Sequence, residues 1–274
     1  MTINNAMASA ARAVQLRAHA LRMVHAVNAS HIGTCLSMAD ILAVLYGGVL
    51  NVKPTEPEWP DRDRLVLSKG HGAAILYAAL AEAGFFELEE LATYCQLGSR
   101  LTGHISHHVP GVEVSTGSLG HGLSFGSGMA LEMKADGHPG RVFVILSDGE
   151  LDEGSNWEPI LLAPHLKLDN LIAIVDYNKI QSFGTVDEVL PLEPLKAKWE
   201  AFGWEVREVN GHEHEALHST LAAIPFSSGK PSVVIAHTIK GKGVSFMENE
   251  LAWHYRSPNA ALLEQALQEL GCNS

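Results

Sequence analysis

The residues best suited to chemistry stand just beyond two apolar runs. Ser147-Asp148-Gly149-Glu150 follows residues 142–146, and Asp176-Tyr177-Asn178-Lys179-Ile180 follows residues 171–175. Two oxygen donors about thirty residues apart would thus meet at one sheet edge. Asp148 offers a carboxylate and Asn178 an amide oxygen, both hard ligands for Mg2+ or Ca2+, and Gly149 lets the backbone approach a phosphate closely. Singly, Asp148 reads as a helix cap and Asn178 as a turn residue; their pairing at successive strand ends favours a metal and an anion. Each of His31, His71, His104 and His254 alone reads as a surface or capping histidine. As a set they could accept and donate protons near pH 7. Gly117, Gly120, Gly122, Gly126 and Gly128 lead into a run of small residues, a form that can present N–H donors to an anion or pack a helix on a sheet. Lys240-Gly241-Lys242-Gly243 could grip a phosphate through either lysine or be a flexible basic turn, and the pattern leaves both open.

These residues need elements that carry them. Residues 65–67, 142–146, 171–175 and 233–236 are short, nearly continuous apolar runs, suited to strands buried on both faces of a parallel sheet. Helical spacing occupies residues 12–27, ending near Asn28-Ala29-Ser30, and residues 73–83. Ser37-Met38-Ala39-Asp40 has the form of a capping box opening a further helix. The expectation is an α/β fold, a doubly wound and mostly parallel sheet flanked by helices, with ligands at the carboxyl edge of the strands. Residues 54–63 read as a loop, and residues 98–120 lack a clear period, so that long segment either shapes a site or crosses the surface.

The chain has 274 residues, 46% of them hydrophobic, enough for one large domain spanning 1–274. Its 19 basic and 31 acidic residues give a net charge of −12, which disfavours nucleic acid and anionic lipid as partners. An anionic ligand would need help from backbone N–H groups or a metal. Cys35, Cys95 and Cys272 form no C-x-x-C pair and suggest neither a disulfide framework nor a structural zinc. With no signal-peptide pattern and no long apolar span, a cytoplasmic protein off the membrane is expected.

The paired segments resemble the metal-binding motif of thiamine-diphosphate enzymes, which opens on a Gly-Asp-Gly-like triplet and closes on an asparagine. Ser147 stands here for the first glycine. Further segments in order make the resemblance specific to transketolases: Asn28-Ala29-Ser30-His31, Ser68-Lys69-Gly70-His71-Gly72, Leu101-Thr102-Gly103-His104, Ser115-Thr116-Gly117-Ser118-Leu119-Gly120-His121-Gly122, Glu153-Gly154, and Trp253-His254-Tyr255. The resemblance implies the diphosphate-binding type of thiamine-diphosphate fold. It places metal ligation on Asp148, Asn178 and the Ile180 carbonyl, with Mg2+ as the metal and Ca2+ or Mn2+ as substitutes. It implies cofactor contacts by His71, Gly117, Ser118, Leu119, Gly149, Glu150, Glu153 and Asn178, with Glu153 at a subunit interface. His31, His71, His104 and His254 would line the channel to the reacting carbon. Gly126 and Gly128 are assigned to helix packing, and His121 only to the cofactor's neighbourhood.

In this family an activating glutamate and most sugar-phosphate contacts belong to a following domain, and the chain ends soon after the first domain should. The expectation is therefore an N-terminal transketolase subunit that transfers a two-carbon ketol unit between sugar phosphates only with a separate C-terminal-type subunit, as an α2β2 assembly. Two rival readings are the α subunit of a 2-oxo acid dehydrogenase, disfavoured by the histidine motifs, and a non-catalytic cofactor-binding half. Zinc held by the histidine-rich stretch lacks the helical spacing it would need.

Overall fold

The computed structural model describes residues 3–272. Five strands run parallel in the order β1-β2-β3-β5-β4: β1 (Arg64–Leu67), β2 (Val142–Ser147), β3 (Leu171–Tyr177), β4 (Glu205–Asn210) and β5 (Ser232–His237). The four apolar runs account for all but β4, whose alternating, charged sequence suits the sheet edge it occupies. The α-helices among the described residues are α1 (Ile3–Ala26), α2 (Ile32–Ser37), α3 (Ala39–Val44), α4 (Ala73–Glu82), α5 (Gly122–Asp136), α6 (Gly154–His165), α7 (Val186–Val189), α8 (Leu195–Ala201), α9 (His214–Ala222) and α10 (Ala260–Glu269).

Period-two alternation along the buried strands divides the interior into two cores. Leu65, Leu67, Phe143, Ile145, Ile172 and Ile174 face α1, α3, α4 and α9. Val66, Val144, Leu146, Ala173 and Val175 face α5, α6 and α8. Helices therefore cover both sheet faces, the doubly wound arrangement expected. Among the described residues, no helix is long and apolar enough to cross a membrane. All three cysteines are free.

α1 ends where the sequence placed its end. Asn28 takes a left-handed conformation (φ 52°), and Ala29 N–H donates to Val24 O at 2.9 Å, closing the helix with a Schellman-type bond. The capping box at Ser37 is corrected. Ser37 is the last residue of α2, and its hydroxyl donates to Asp176 Oδ2 at 2.5 Å, while Asp40 turns to Arg17. Long-range partners outcompete the local cap.

The packing role of Gly126 holds, whereas that of Gly128 is corrected. A Cβ on Gly126 would lie 2.4 Å from Val144 Cγ2, so α5 rests directly on β2 there; one on Gly128 would meet nothing within 4 Å. Gly126→Ala should cost about 1–3 kcal/mol through overpacking. Gly128→Ala in the isolated chain should gain about 0.5–1 kcal/mol from the helix interior. Urea unfolding midpoints that move in the same direction would refute this assignment.

Candidate active site

Strand register sets the site. β2 and β3 pair with Ser147 opposite Asp176, so the turns that follow emerge side by side at the carboxyl edge and bring Asp148 beside Asn178. β1 delivers Ser68 to Gly72, and β5 delivers Thr238 to Lys240. The long segment 98–120 wraps back to this edge: Ile105 N–H donates to Gly70 O at 3.2 Å, and Tyr77 OH to His104 O at 3.1 Å. It thereby carries His104, Gly117 and Leu119 to the wall of a cavity of about 190 Å3.

Asp148, Gly149, Asn178 and Ile180 all line that cavity. Asp148 is 2% exposed, and its oxygens accept from Gly149 N at 2.8 Å and Lys179 N at 2.5 Å. Burial, and then the neighbouring Asp176 carboxylate, push its carboxyl up to about 6 despite those bonds. No cationic side chain forms an ion pair with it among the described residues. A buried carboxylate that pairs with no cation, beside an amide oxygen and a main-chain carbonyl, is a donor set that fits a hard divalent ion. Among the described residues, no three His, Cys, Asp or Glu side chains gather as metal ligands, so the mixed oxygen set is the candidate.

Lys240 rather than Lys242 enters the cavity. Its side chain is 1% exposed; Nζ donates to Ile180 O at 2.9 Å and lies 3.1 Å from His254 Nδ1, whereas Lys242 pairs with Glu248. Burial presses the Lys240 ammonium down to about 8. It remains mostly charged at pH 7, and an anion beside it would stabilise that charge, which suits it to grip a phosphate.

The four histidines converge. The His31 ring lies 5.1 Å from His71, 5.8 Å from His104 and 5.2 Å from His254. His31 itself adopts φ 74°, a left-handed conformation unusual for a side-chain-bearing residue, fixed by its N–H donating to His254 O at 2.9 Å. Burial and then the nearby His104 and Lys240 lower His31 to about 4; burial and then Lys240 lower His254 to about 3. Burial and then Lys69 hold His71 well below an ordinary imidazole. All three rings are uncharged at pH 7. The unfolded chain would take up protons near pH 6.5 that the folded one refuses, so stability contributed by these rings is lost as pH falls from about 6.5 towards 4. The raised carboxyls of Asp148, Glu150 and Asp152 oppose this in part, so a histidine variant is needed to isolate the share of the imidazoles. The urea midpoint is expected to fall between pH 6.5 and 4.5, and less steeply in a His31→Gln/His254→Gln variant; equal slopes would refute it.

Other expected contacts stand outside the lining. Glu150 is fully buried behind the wall, accepting from Ser68 Oγ, Gly120 N at 2.9 Å and Ser147 N at 3.3 Å, so its carboxylate ties three loops together. Ser118, His121 and Glu153 are exposed at the surface nearby and do not line the cavity. Sequence reasoning gave no role to Thr34, Gln181 and Ser182, which line the cavity, or to Lys69 and Asp176 beneath it. Lys69 and Asp176, both fully buried, form an ion pair that Thr34 Oγ1 joins at 3.0 Å from Lys69 Nζ. Burial alone would raise the Asp176 carboxyl, but Lys69, Ser37 and Thr238 hold it below the usual carboxylate range.

Comparison with known proteins gives the arrangement its relatives. A family profile described as transketolase, thiamine diphosphate binding domain, matches residues 8–274. One subunit of an apulose-4-phosphate transketolase from Actinobacillus succinogenes is 47% identical over 241 residues, covering 88% of this chain and 87% of that protein. A 6-deoxy-6-sulfo-D-fructose transketolase subunit from a Clostridium species is 43% identical over 256 residues, covering 93% of each. The solved transketolase of Campylobacter jejuni superposes with a TM-score of 0.90 at 34% identity; it matches all of this chain, which spans 44% of that one.

Proposed function

Since this chain belongs to the transketolase family and carries its thiamine-diphosphate-binding domain, we propose that it is the diphosphate-holding subunit of a two-chain transketolase, moving a two-carbon ketol unit from a ketose phosphate to an aldose. One observation carries the reading: Asp148, Asn178, the Ile180 carbonyl, the Lys240 ammonium and uncharged imidazoles share one cavity wall. At about 190 Å3 the cavity is smaller than the roughly 300–1,000 Å3 usual for a ligand pocket, which supports a second wall supplied by another chain. The relatives' names, which call each of them a subunit, point the same way. An α2β2 assembly, Mg2+ as the metal with Ca2+ or Mn2+ as substitutes, residues 1–274 as one domain, and a cytoplasmic location complete the proposal. The relatives' names mention a phosphate and a sulfonate, so the substrate class is a ketose with a distal anion, read by the partner.

Asp148, Asn178 and the Ile180 carbonyl would hold the metal, and Lys240 would face the cofactor's diphosphate. When bound, thiamine diphosphate supplies the electron sink that lets a carbon–carbon bond break and re-form. His254 Nδ1 accepts from Lys240 Nζ, which leaves its own proton on Nε2 as a donor to a sugar hydroxyl. His31 and His71, kept neutral, can accept a proton as the sugar reacts. The test is ketol transfer by this chain with and without its C-terminal-type partner. Normal turnover by the chain alone would refute the two-chain reading. Activity on a 2-oxo acid with a lipoyl acceptor, and none on ketose phosphates, would move the chain to the dehydrogenase class.

A further inference from the structure

A second cluster of charged side chains lies away from the cavity, where α1, α3 and the turn after β4 meet. Asp40 is 4% exposed and accepts from Arg17 Nη1 at 3.0 Å and Nη2 at 2.5 Å; His214 Nε2 lies 3.1 Å from it and His212 Nδ1 2.7 Å. Neither histidine lines the cavity. The remaining nitrogen of His212 makes the connection, because Ile239 N–H donates to His212 Nε2 at 2.8 Å.

That bond decides the tautomer. A main-chain N–H can only donate, so Nε2 carries no proton, and the imidazole proton is on Nδ1, directed at the Asp40 carboxylate. Asn210 Oδ1, accepting from His212 N at 3.0 Å, fixes the backbone of the turn. Ile239 immediately precedes Lys240, whose ammonium stands in the cavity at the Ile180 carbonyl. Around it the main chain is held by Thr238 N–H to Tyr177 O at 3.2 Å, Gly241 N–H to Gly33 O at 2.9 Å and Asn249 N–H to Lys240 O at 2.9 Å. Of these anchors, the one at Ile239 is made by a side chain.

We propose that His212, held by Asp40 with its proton on Nδ1, is a positioning residue that sets the backbone at Ile239 and thereby aims Lys240 at the anionic end of the cofactor. Nothing in the geometry requires His212 to touch cofactor or substrate. A proton on Nε2 would set two N–H groups against each other and release the segment. The charged groups around the ring that bear on this are Asp40, Arg17, His214 and, from the segment after β5, Glu248. The inference rests on the proposed function, in that the cavity is taken to receive a diphosphate.

Two measurements on the full chain test it. The first is calorimetric titration with magnesium pyrophosphate of wild type, His212→Leu and His212→Gln, each also in a Lys240→Met background. His212→Leu should weaken binding about tenfold or more. His212→Gln, whose amide can both accept from Ile239 and donate to Asp40, should stay within about threefold of wild type. With Lys240→Met present, His212→Leu should have no further effect, since a residue acting through Lys240 loses its route. An equal loss in both backgrounds, or none, overturns the inference and leaves the proposed function standing. Absence of pyrophosphate binding by wild type overturns both. The second measurement needs no ligand and covers a His212→Leu variant that does not fold: imidazole 15N shifts of the wild-type chain, assigned with His212→Gln, should show a protonated Nδ1 and an unprotonated Nε2. The opposite tautomer overturns the inference whatever the binding data show.

Discussion

Asp148→Asn should weaken metal-dependent cofactor binding severely while leaving the fold almost as stable as before. The substitution keeps the shape of the side chain and removes its charge. Two effects on stability oppose each other. At pH 7 the wild-type chain carries a buried carboxylate whose pKa is raised to about 6, so ionisation costs the folded state on the order of 3 kcal/mol, relieved as pH falls below 6. Asparagine removes that cost, but its amide NH2 must then face Gly149 N–H or Lys179 N–H, both donors, which costs about 1–3 kcal/mol. The apparent melting temperature without ligand should therefore move by no more than a few degrees. Binding has no such compensation. A hard cation loses its only formally charged ligand in the set, and affinity for thiamine diphosphate with Mg2+, in the presence of the partner subunit, should fall by about a hundredfold or more. The rise in melting temperature that ligand gives wild type should vanish with it. A variant that binds as tightly as wild type would show that Asp148 does not hold the metal.

This separation of binding from stability explains which parts of the molecule the sequence disclosed. Buried parallel strands are written as apolar runs, so β1, β2, β3 and β5 could be read directly, and the strand-end rule then located Asp148 and Asn178. β4 escaped because an edge strand needs no continuous apolar run: Arg207 and Glu208 are exposed. The capping box failed for a different reason. Ser37 and Asp40 match the local pattern, but Asp176, 139 residues away, takes the serine hydroxyl, and Arg17 and two histidines take the carboxylate. Lys240 and Lys242 are equivalent in the sequence; only the fold buries one and leaves the other at the surface. The same holds for Lys69 and Asp176. A charged residue at the end of an apolar run normally faces water, and no local pattern announces that two of them, 107 positions apart, meet in the interior.

That buried pair leads to the largest expected loss of stability. Lys69→Met removes the ammonium and leaves the Asp176 carboxylate fully buried with, among the described residues, the Ser37 and Thr238 hydroxyls as its remaining side-chain donors. Breaking a buried pair by deleting one partner costs about 3–5 kcal/mol. At about 2–4 °C per kcal/mol for a chain near this size, the melting temperature should drop by roughly 10 °C. Screening by salt should change this little, since neither side chain reaches solvent. The damage should also extend to the site. Asp176 already raises the Asp148 carboxyl, and Lys69 is one of the groups that offsets this. Without Lys69 the second carboxylate becomes harder to ionise, so metal affinity at pH 7 falls even in molecules that remain folded. Lys69→Arg separates the two consequences: it restores charge, but its planar guanidinium does not fit a site shaped for an ammonium beside the Thr34 hydroxyl, so stability should recover only in part. If Lys69→Met melts within 2–3 °C of wild type, the ion pair does not support the carboxyl edge of β3; if it binds Mg2+ unchanged, the pair does not set the charge of Asp148, the proposed metal ligand.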